Sequence, residues 1–244
     1  MALLRGAMRF GVRMELLARN PCDAVTSPTA SRSNAAALSG EEVRRILTAA
    51  RGTRWESFLL LALTTGARRG ELTGLSWSDV DEVNAVLTIR RSLSQTRTGT
   101  RLKDTKTHAI RTLPLSRAAL DALRMQRVQQ AKDKLAAGDA YANPDGAIFT
   151  NELGQRHAPN HATYAFAKLA GAARIATTRL HDCRHTVATL LLTSGTDIRT
   201  TAGVLGHHSP TMTLSTYAHL MPEAQREAVD RLGERLERLV STRA

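Results

Sequence analysis

The chain is 244 residues long, with 34 Lys and Arg against 22 Asp and Glu and a formal net charge of +12, a surplus that points to a polyanionic partner, most often nucleic acid. Its 42% hydrophobic content excludes a disordered chain, and its 4% aromatic content argues against rows of stacked single-stranded bases. No signal peptide or spanning helix is legible, since Arg5, Arg9, Arg13 and Arg19 interrupt the start, and Cys22 and Cys183 sit in no metal-binding spacing and fit a reducing cytoplasm.

Leu3, Ala7, Phe10, Met14 and Leu17 recur at helical spacing, which predicts an amphipathic helix over 3–18 that Asn20-Pro21 ends. The small polar stretch that follows gives a linker at 26–38, dividing a segment at 1–25 from a domain at 39–244. Ser39-Gly40-Glu41-Glu42 is a capping box that opens a helix over 40–50. Further helices are expected at 54–65 and 68–75. Val86, Leu87, Thr88 and Ile89 read as a strand, and 110–115 alternates, so a small antiparallel sheet of three strands is expected within 86–115. Ser116 caps a long helix running to about 135. A polar loop at 138–146 leads to helices at 159–173, 181–194, 198–205, 211–219 and 223–240. The fold class is mainly α with a small three-stranded antiparallel β-sheet.

Four strings carry chemistry. In Thr65-Gly66-Ala67-Arg68-Arg69-Gly70-Glu71-Leu72, the guanidinium of Arg68 can bond two anionic oxygens at once, and Glu71 shares its helical face and braces it. Alone, such a pair is a solvated surface pair; Trp77, downstream, reads as core. Thr105-Lys106-Thr107-His108-Ala109-Ile110-Arg111-Thr112-Leu113-Pro114 places Lys106 before an alternating strand, with Lys103 as its competitor. His181, Arg184 and His185 fall at i, i+3 and i+4 on one helical face, opposite a buried stripe of Cys183, Val187, Leu190 and Leu191. Two histidines without a carboxylate at ligand spacing make a weak metal site, and His185 is taken as structural. Last come Leu205-Gly206-His207-His208 and Thr216-Tyr217-Ala218-His219. An isolated helical tyrosine is ordinarily a half-buried core residue.

In this order and spacing, the strings resemble the tyrosine recombinase, or phage integrase, family over about 39–221. The resemblance implies the catalytic fold of that family and a DNA-cleaving site that needs neither metal nor cofactor. Arg68 and Arg184 would grip the scissile phosphate, and His181 and His207 would donate to it, His181 also serving as a base toward the tyrosine. Lys106 would protonate the leaving 5′ oxygen, and Tyr217 would attack to form a 3′-phosphotyrosine. Arg90, Arg91, Arg97, Arg101 and Lys103 are expected to contact phosphates and position double-stranded DNA without reading its sequence.

Residues 1–25 resemble only the last helix of the family's amino-terminal core-binding domain. The apolar stripe Val229, Leu232, Leu236 and Leu239 is expected either to join a homo-tetramer on DNA or to pack on its own domain. A cytoplasmic site-specific recombinase of the mobile-element type is the expectation. A type IB topoisomerase-like enzyme and a non-catalytic DNA-binding fragment are its rivals.

Overall fold

The computed structural model describes residues 2–25, 37–104, 110–176 and 178–206, together with positions 230, 232–234 and 238. The chain divides into two compact units, Met1–Asn34 and Ala35–Ala244.

In the first unit, α1 (Ala2–Arg13) stops short of the expected end at 18. Glu15 takes a positive φ of 58°, and the Leu16 amide turns back to the Gly11 carbonyl at 2.9 Å. A 3-10 turn over Pro21–Ala24 follows, with Asn20 capping the Cys22 amide and proline at the first position. Arg5 ties the two pieces together by donating to the carbonyls of Cys22 at 2.7 Å and Val25 at 2.9 Å.

The second unit is mostly helical. Its helices are α2 (Gly40–Ala50), α3 (Glu56–Thr65), α4 (Arg69–Gly74), α5 (Arg117–Ala137), α6 (Pro159–Ala172), α7 (Leu180–Thr193) and α8 (Ile198–Leu205). The Ser39 capping box forms as expected: its hydroxyl accepts from the Glu42 amide, and Glu42 accepts from the Ser39 amide at 2.8 Å. Ser116 likewise caps α5 by accepting from the Ala119 amide. Helix α3 is apolar nearly all round, as a central buried helix must be. Phe58, Leu59, Leu61 and Ala62 are all buried, and α3 packs against both α5 and α7.

A three-stranded antiparallel sheet is present among the described residues, but its first strand lies before the expected 86–115 and its strands are not successive. The order is β1 (Val80–Asp81), β2 (Val86–Ile89), β5 (Arg111–Pro114), all antiparallel. Between β2 and β5 the chain leaves the sheet as a separate hairpin, β3 (Arg91–Thr96) and β4 (Gly99–Asp104). Leu87, Ile89 and Leu113 explain the three-stranded part, since all three point into the main core. The hairpin buries Leu93 against α4 and leaves its outer half polar and exposed.

A smaller cluster of Val187, Ala188, Leu192 and Leu205, with Leu191 and Ile198 against it, seats α8 on α7. This corrects one expectation. Leu190 does not join the buried stripe of α7 but is 55% exposed. In the last turns of α7 the buried side chains are Ala188 and Leu192, which share a cluster with Leu205 of α8.

The helix expected at 211–219 lies outside the described residues. Within 223–240, the described positions 230, 232–234 and 238 are helical. Among the described residues no helix is long and apolar enough to cross a membrane.

Candidate active site

Two arginines from distant parts of the chain are held by the carbonyls of two helix-ending glycines. Gly66 ends α3 with φ 60°, and Gly206 ends α8 with φ 66°, a left-handed conformation that glycine adopts without a Cβ penalty. Arg184 on α7 is 4% exposed and donates from Nη1 to the Gly66 carbonyl at 2.8 Å. Arg68, two residues past Gly66, donates from Nη2 to the Gly206 carbonyl at 2.9 Å. Each arginine thus anchors on the turn next to another motif, and the strings containing Arg68, Arg184 and Gly206 converge. A Cβ on Gly66 would stand 2.7 Å from Leu205 Cδ2, so this turn lies close against the end of α8.

Arg68 is the N-cap residue of α4. Its backbone amide donates to Glu71 Oε2 at 2.8 Å and its Nη1 to Glu71 Oε1 at 2.9 Å, so the expected brace is present. The Arg68 side chain is 43% exposed, which leaves the rest of its N–H groups for a ligand. Glu71, by contrast, is buried. Burial alone would raise its pKa. Hydrogen bonds and charge from Arg111, then the amide and guanidinium of Arg68, override this and hold it at about 2.

Arg111 has no role in the reading of the sequence motifs. It opens β5 opposite Ile89 and grips Glu71 with both terminal nitrogens, at 3.0 and 2.6 Å. A signal was available: strand alternation sets Arg111 on the same face as buried Leu113. An arginine at an inward strand position requires a buried anion.

His181 sits on the exposed side of the first turn of α7, its ring 5.0 Å from that of His185. Desolvation lowers its pKa first, and His185, Arg184 and Arg68 lower it further against the opposing charge of Asp182. His181 is therefore neutral at pH 7 and can donate from one ring nitrogen while accepting at the other. That Arg68 contributes to the shift is a second sign that the motifs share one site. Cys183 beneath is buried, and desolvation pushes its thiol up to about 12, which makes it a core residue and no nucleophile.

The expected DNA contacts divide into two groups. Arg97, Arg101 and Lys103 are exposed on the β3–β4 hairpin. Arg90 and Arg91 instead turn toward buried Asp79, with Arg91 Nη2 donating to Oδ2 at 3.3 Å. Arg90 Nε lies 2.8 Å from Oδ1, close enough for an ion pair without hydrogen-bond alignment. Lys106, His207 and Tyr217 lie outside the described residues. Among the described residues, no group of three or more His, Cys, Asp and Glu is placed to hold a metal ion.

The phage integrase family model matches residues 36–224. The chain is 31% identical over 235 residues to the tyrosine recombinase XerD of Mycobacterium leprae, covering 92% of this chain and 69% of that one. It is 30% identical over 250 residues to a XerC-like tyrosine recombinase of Caldanaerobacter subterraneus subsp. tengcongensis, covering 95% of this chain and 64% of that protein. The ICEBs1 integrase of Bacillus subtilis is 28% identical over 244 residues, covering 92% and 61%. This chain belongs to the phage integrase family. It spans less than two thirds of the length of the XerC-like recombinase and of the ICEBs1 integrase. The fold is that of solved members. The Tn1549 transposon integrase in complex with a circular intermediate DNA superposes with a TM-score of 0.76 at 21% identity, covering 93% of this chain and 76% of that one. XerA recombinase does so at 0.62 and 24% identity, covering 93% and 73%.

Proposed function

We propose that this chain is the catalytic part of a site-specific DNA recombinase that cuts and rejoins double-stranded DNA through a 3′-phosphotyrosine. The observation that carries the reading is the crossed anchoring of Arg68 on Gly206 and Arg184 on Gly66, with neutral His181 close enough to feel both guanidiniums. Such an arrangement offers fixed positive charge to a phosphate that gains charge as it becomes pentacoordinate.

Tyr217 supplies the attacking oxygen, and its proton passes to His181. Arg68, Arg184 and His207 stabilise the non-bridging oxygens. The bond from phosphorus to the 5′ oxygen breaks as the bond to tyrosine forms, and Lys106 gives that oxygen its proton. Attack by a 5′ hydroxyl on the phosphotyrosine reverses the sequence, so the phosphodiester is conserved and neither ATP nor a metal ion is consumed. Arg97, Arg101 and Lys103 would meet phosphates along the flanking duplex. Arg90 and Arg91 would do so only by sharing their charge with Asp79.

Strand exchange between two duplexes requires four such sites, and the apolar positions Val229, Leu232, Leu236 and Leu239 are proposed to link neighbouring subunits on DNA. The XerC-like and XerD relatives are named as tyrosine recombinases, and the solved Tn1549 integrase was bound to DNA; both support the reading. The setting is the DNA-containing cytoplasm. The test is a supercoiled plasmid carrying two copies of a candidate crossover site. Recombinant circles of the expected sizes support the recombinase. Relaxation of a plasmid with no site would replace it with a topoisomerase, and tight binding without either product would leave a DNA-binding fragment.

A further inference from the structure

Glu71 is the most heavily engaged buried acid of the candidate site, and the partner that binds it best is not a residue assigned to the reaction. Its Oε1 accepts from Arg68 Nη1 at 2.9 Å and Arg111 Nη1 at 3.0 Å. Its Oε2 accepts from the Arg68 amide at 2.8 Å and Arg111 Nη2 at 2.6 Å. We propose that Arg111 is a positioning residue for strand cleavage, locking Glu71 and Gly206 so that Arg68 meets the phosphate in one fixed arrangement. This rests on the reading of Arg68 as a phosphate ligand.

Three observations carry it. The first is charge. A carboxylate buried as deeply as Glu71 requires a partner, and Arg68 is half in solvent and must turn its own charge toward a ligand. Arg111, at 13% side-chain exposure, stays behind and keeps the carboxylate paired when Arg68 engages an anion. Two guanidiniums against one carboxylate leave a surplus positive charge, and the exposed member presents it.

The second is shape. A Cβ on Gly206 would lie 2.6 Å from Arg111 Nη1 and 2.7 Å from its Cζ, so the guanidinium lies directly against this glycine. It cannot swing aside without leaving Glu71. Arg111 therefore walls one side of the turn whose carbonyl holds Arg68 and whose next residue in sequence is His207.

The third is rigidity. Arg111 stands on β5, paired with β2 in the core sheet. A strand in a packed sheet fixes a guanidinium better than a loop does.

A purely structural Arg111 would neutralise Glu71 and do nothing more. The two roles are separated by single-turnover cleavage of a nicked duplex by the full chain, comparing Arg111→Met, Arg111→Lys, Arg68→Ala and the Arg68→Ala/Arg111→Met double variant. Arg111→Met is expected to slow cleavage by about 30–100-fold while changing DNA affinity by less than about 3-fold, with part of the rate restored in Arg111→Lys. On the Arg68→Ala background the same change should cost less than about 3-fold, because the interaction it supports is already gone. Losses that multiply, or that appear equally in DNA affinity, would overturn the proposal. Where Arg111→Met fails to fold, Arg111→Lys carries the comparison. A second readout needs no cleavage: in ¹H–¹⁵N spectra, Arg111→Lys should move both the Arg68 Nε–H and the Gly206 amide resonances. If neither moves, Arg111 does not position them. Absence of an adduct from the wild-type chain would defeat the reading of function, and the resonances would still decide this proposal.

Discussion

Arg68 and Arg184 each donate to a backbone carbonyl, Arg68 also pairs with the Glu71 carboxylate, and both guanidiniums bring positive charge to the site. The same field reaches His181. Partial desolvation, then His185, Arg184 and Arg68, lower its pKa, so its imidazole should titrate below 6.5 in NMR spectra of the free protein. Replacing Arg68 with Ala should raise that midpoint, since one lowering charge is removed. A midpoint above 6.5, or one indifferent to Arg68, would show that the two residues do not share a site. At this scale the sequence marks the candidate residues, and the Arg68–Glu71 brace is legible in it because three residues on a helix span a known distance. Arg111 stayed hidden because its partner Glu71 is 40 residues away, a separation no local spacing encodes. The pairing of Arg90 and Arg91 with Asp79 was missed for the same reason, as it closes across the β1–β2 turn.

The elements follow local rules where caps and periodicity agree, as at Ser39 and Ser116, and where they do not the tertiary partner decides. The separate β3–β4 hairpin could not be distinguished from a continuous sheet by alternation, since both give strands of similar pattern. The turn of α7 toward α8 depends on a neighbour that the α7 sequence does not describe. His157, which no motif marked, lies just before α6 and stacks on Trp55 with ring centroids 4.6 Å apart. Its Nε2 is buried without a partner among the described residues. Burial, then the charges of His161 and Arg54, push its pKa down to about 4, with Glu152 opposing. The folded state thus binds fewer protons here than the unfolded chain, so stability is intact above about 6.5 and falls as pH drops toward 4. The shift sets an upper bound of roughly 3 kcal/mol on that loss. Urea unfolding of His157→Phe should show a shallower decline between pH 6.5 and 4 than the wild type. Parallel declines would mean that His157 is not the titrating group.

Across the whole molecule, a net charge of +12 favours a polyanionic partner, and the exposed Arg97, Arg101 and Lys103 place part of it on one hairpin. Charge of this kind confers affinity and salt dependence, not reaction. The reaction depends on whether Arg68, Arg184 and His181 act on a phosphate together with Lys106, His207 and Tyr217. The spacing of those six residues marks the family, and the fold brings Arg68, Arg184 and His181, the described three, together. The most direct measurement is covalent capture. The chain is incubated with a duplex nicked beside the crossover site, and the trapped adduct is resolved on a denaturing gel and its attachment point mapped by peptide mass spectrometry. The account predicts a DNA adduct carrying a 3′-phosphate on Tyr217 that is absent from Tyr217→Phe and weakened by on the order of a hundredfold or more in Arg184→Ala. An adduct on another residue, or one that persists in Tyr217→Phe, would contradict it.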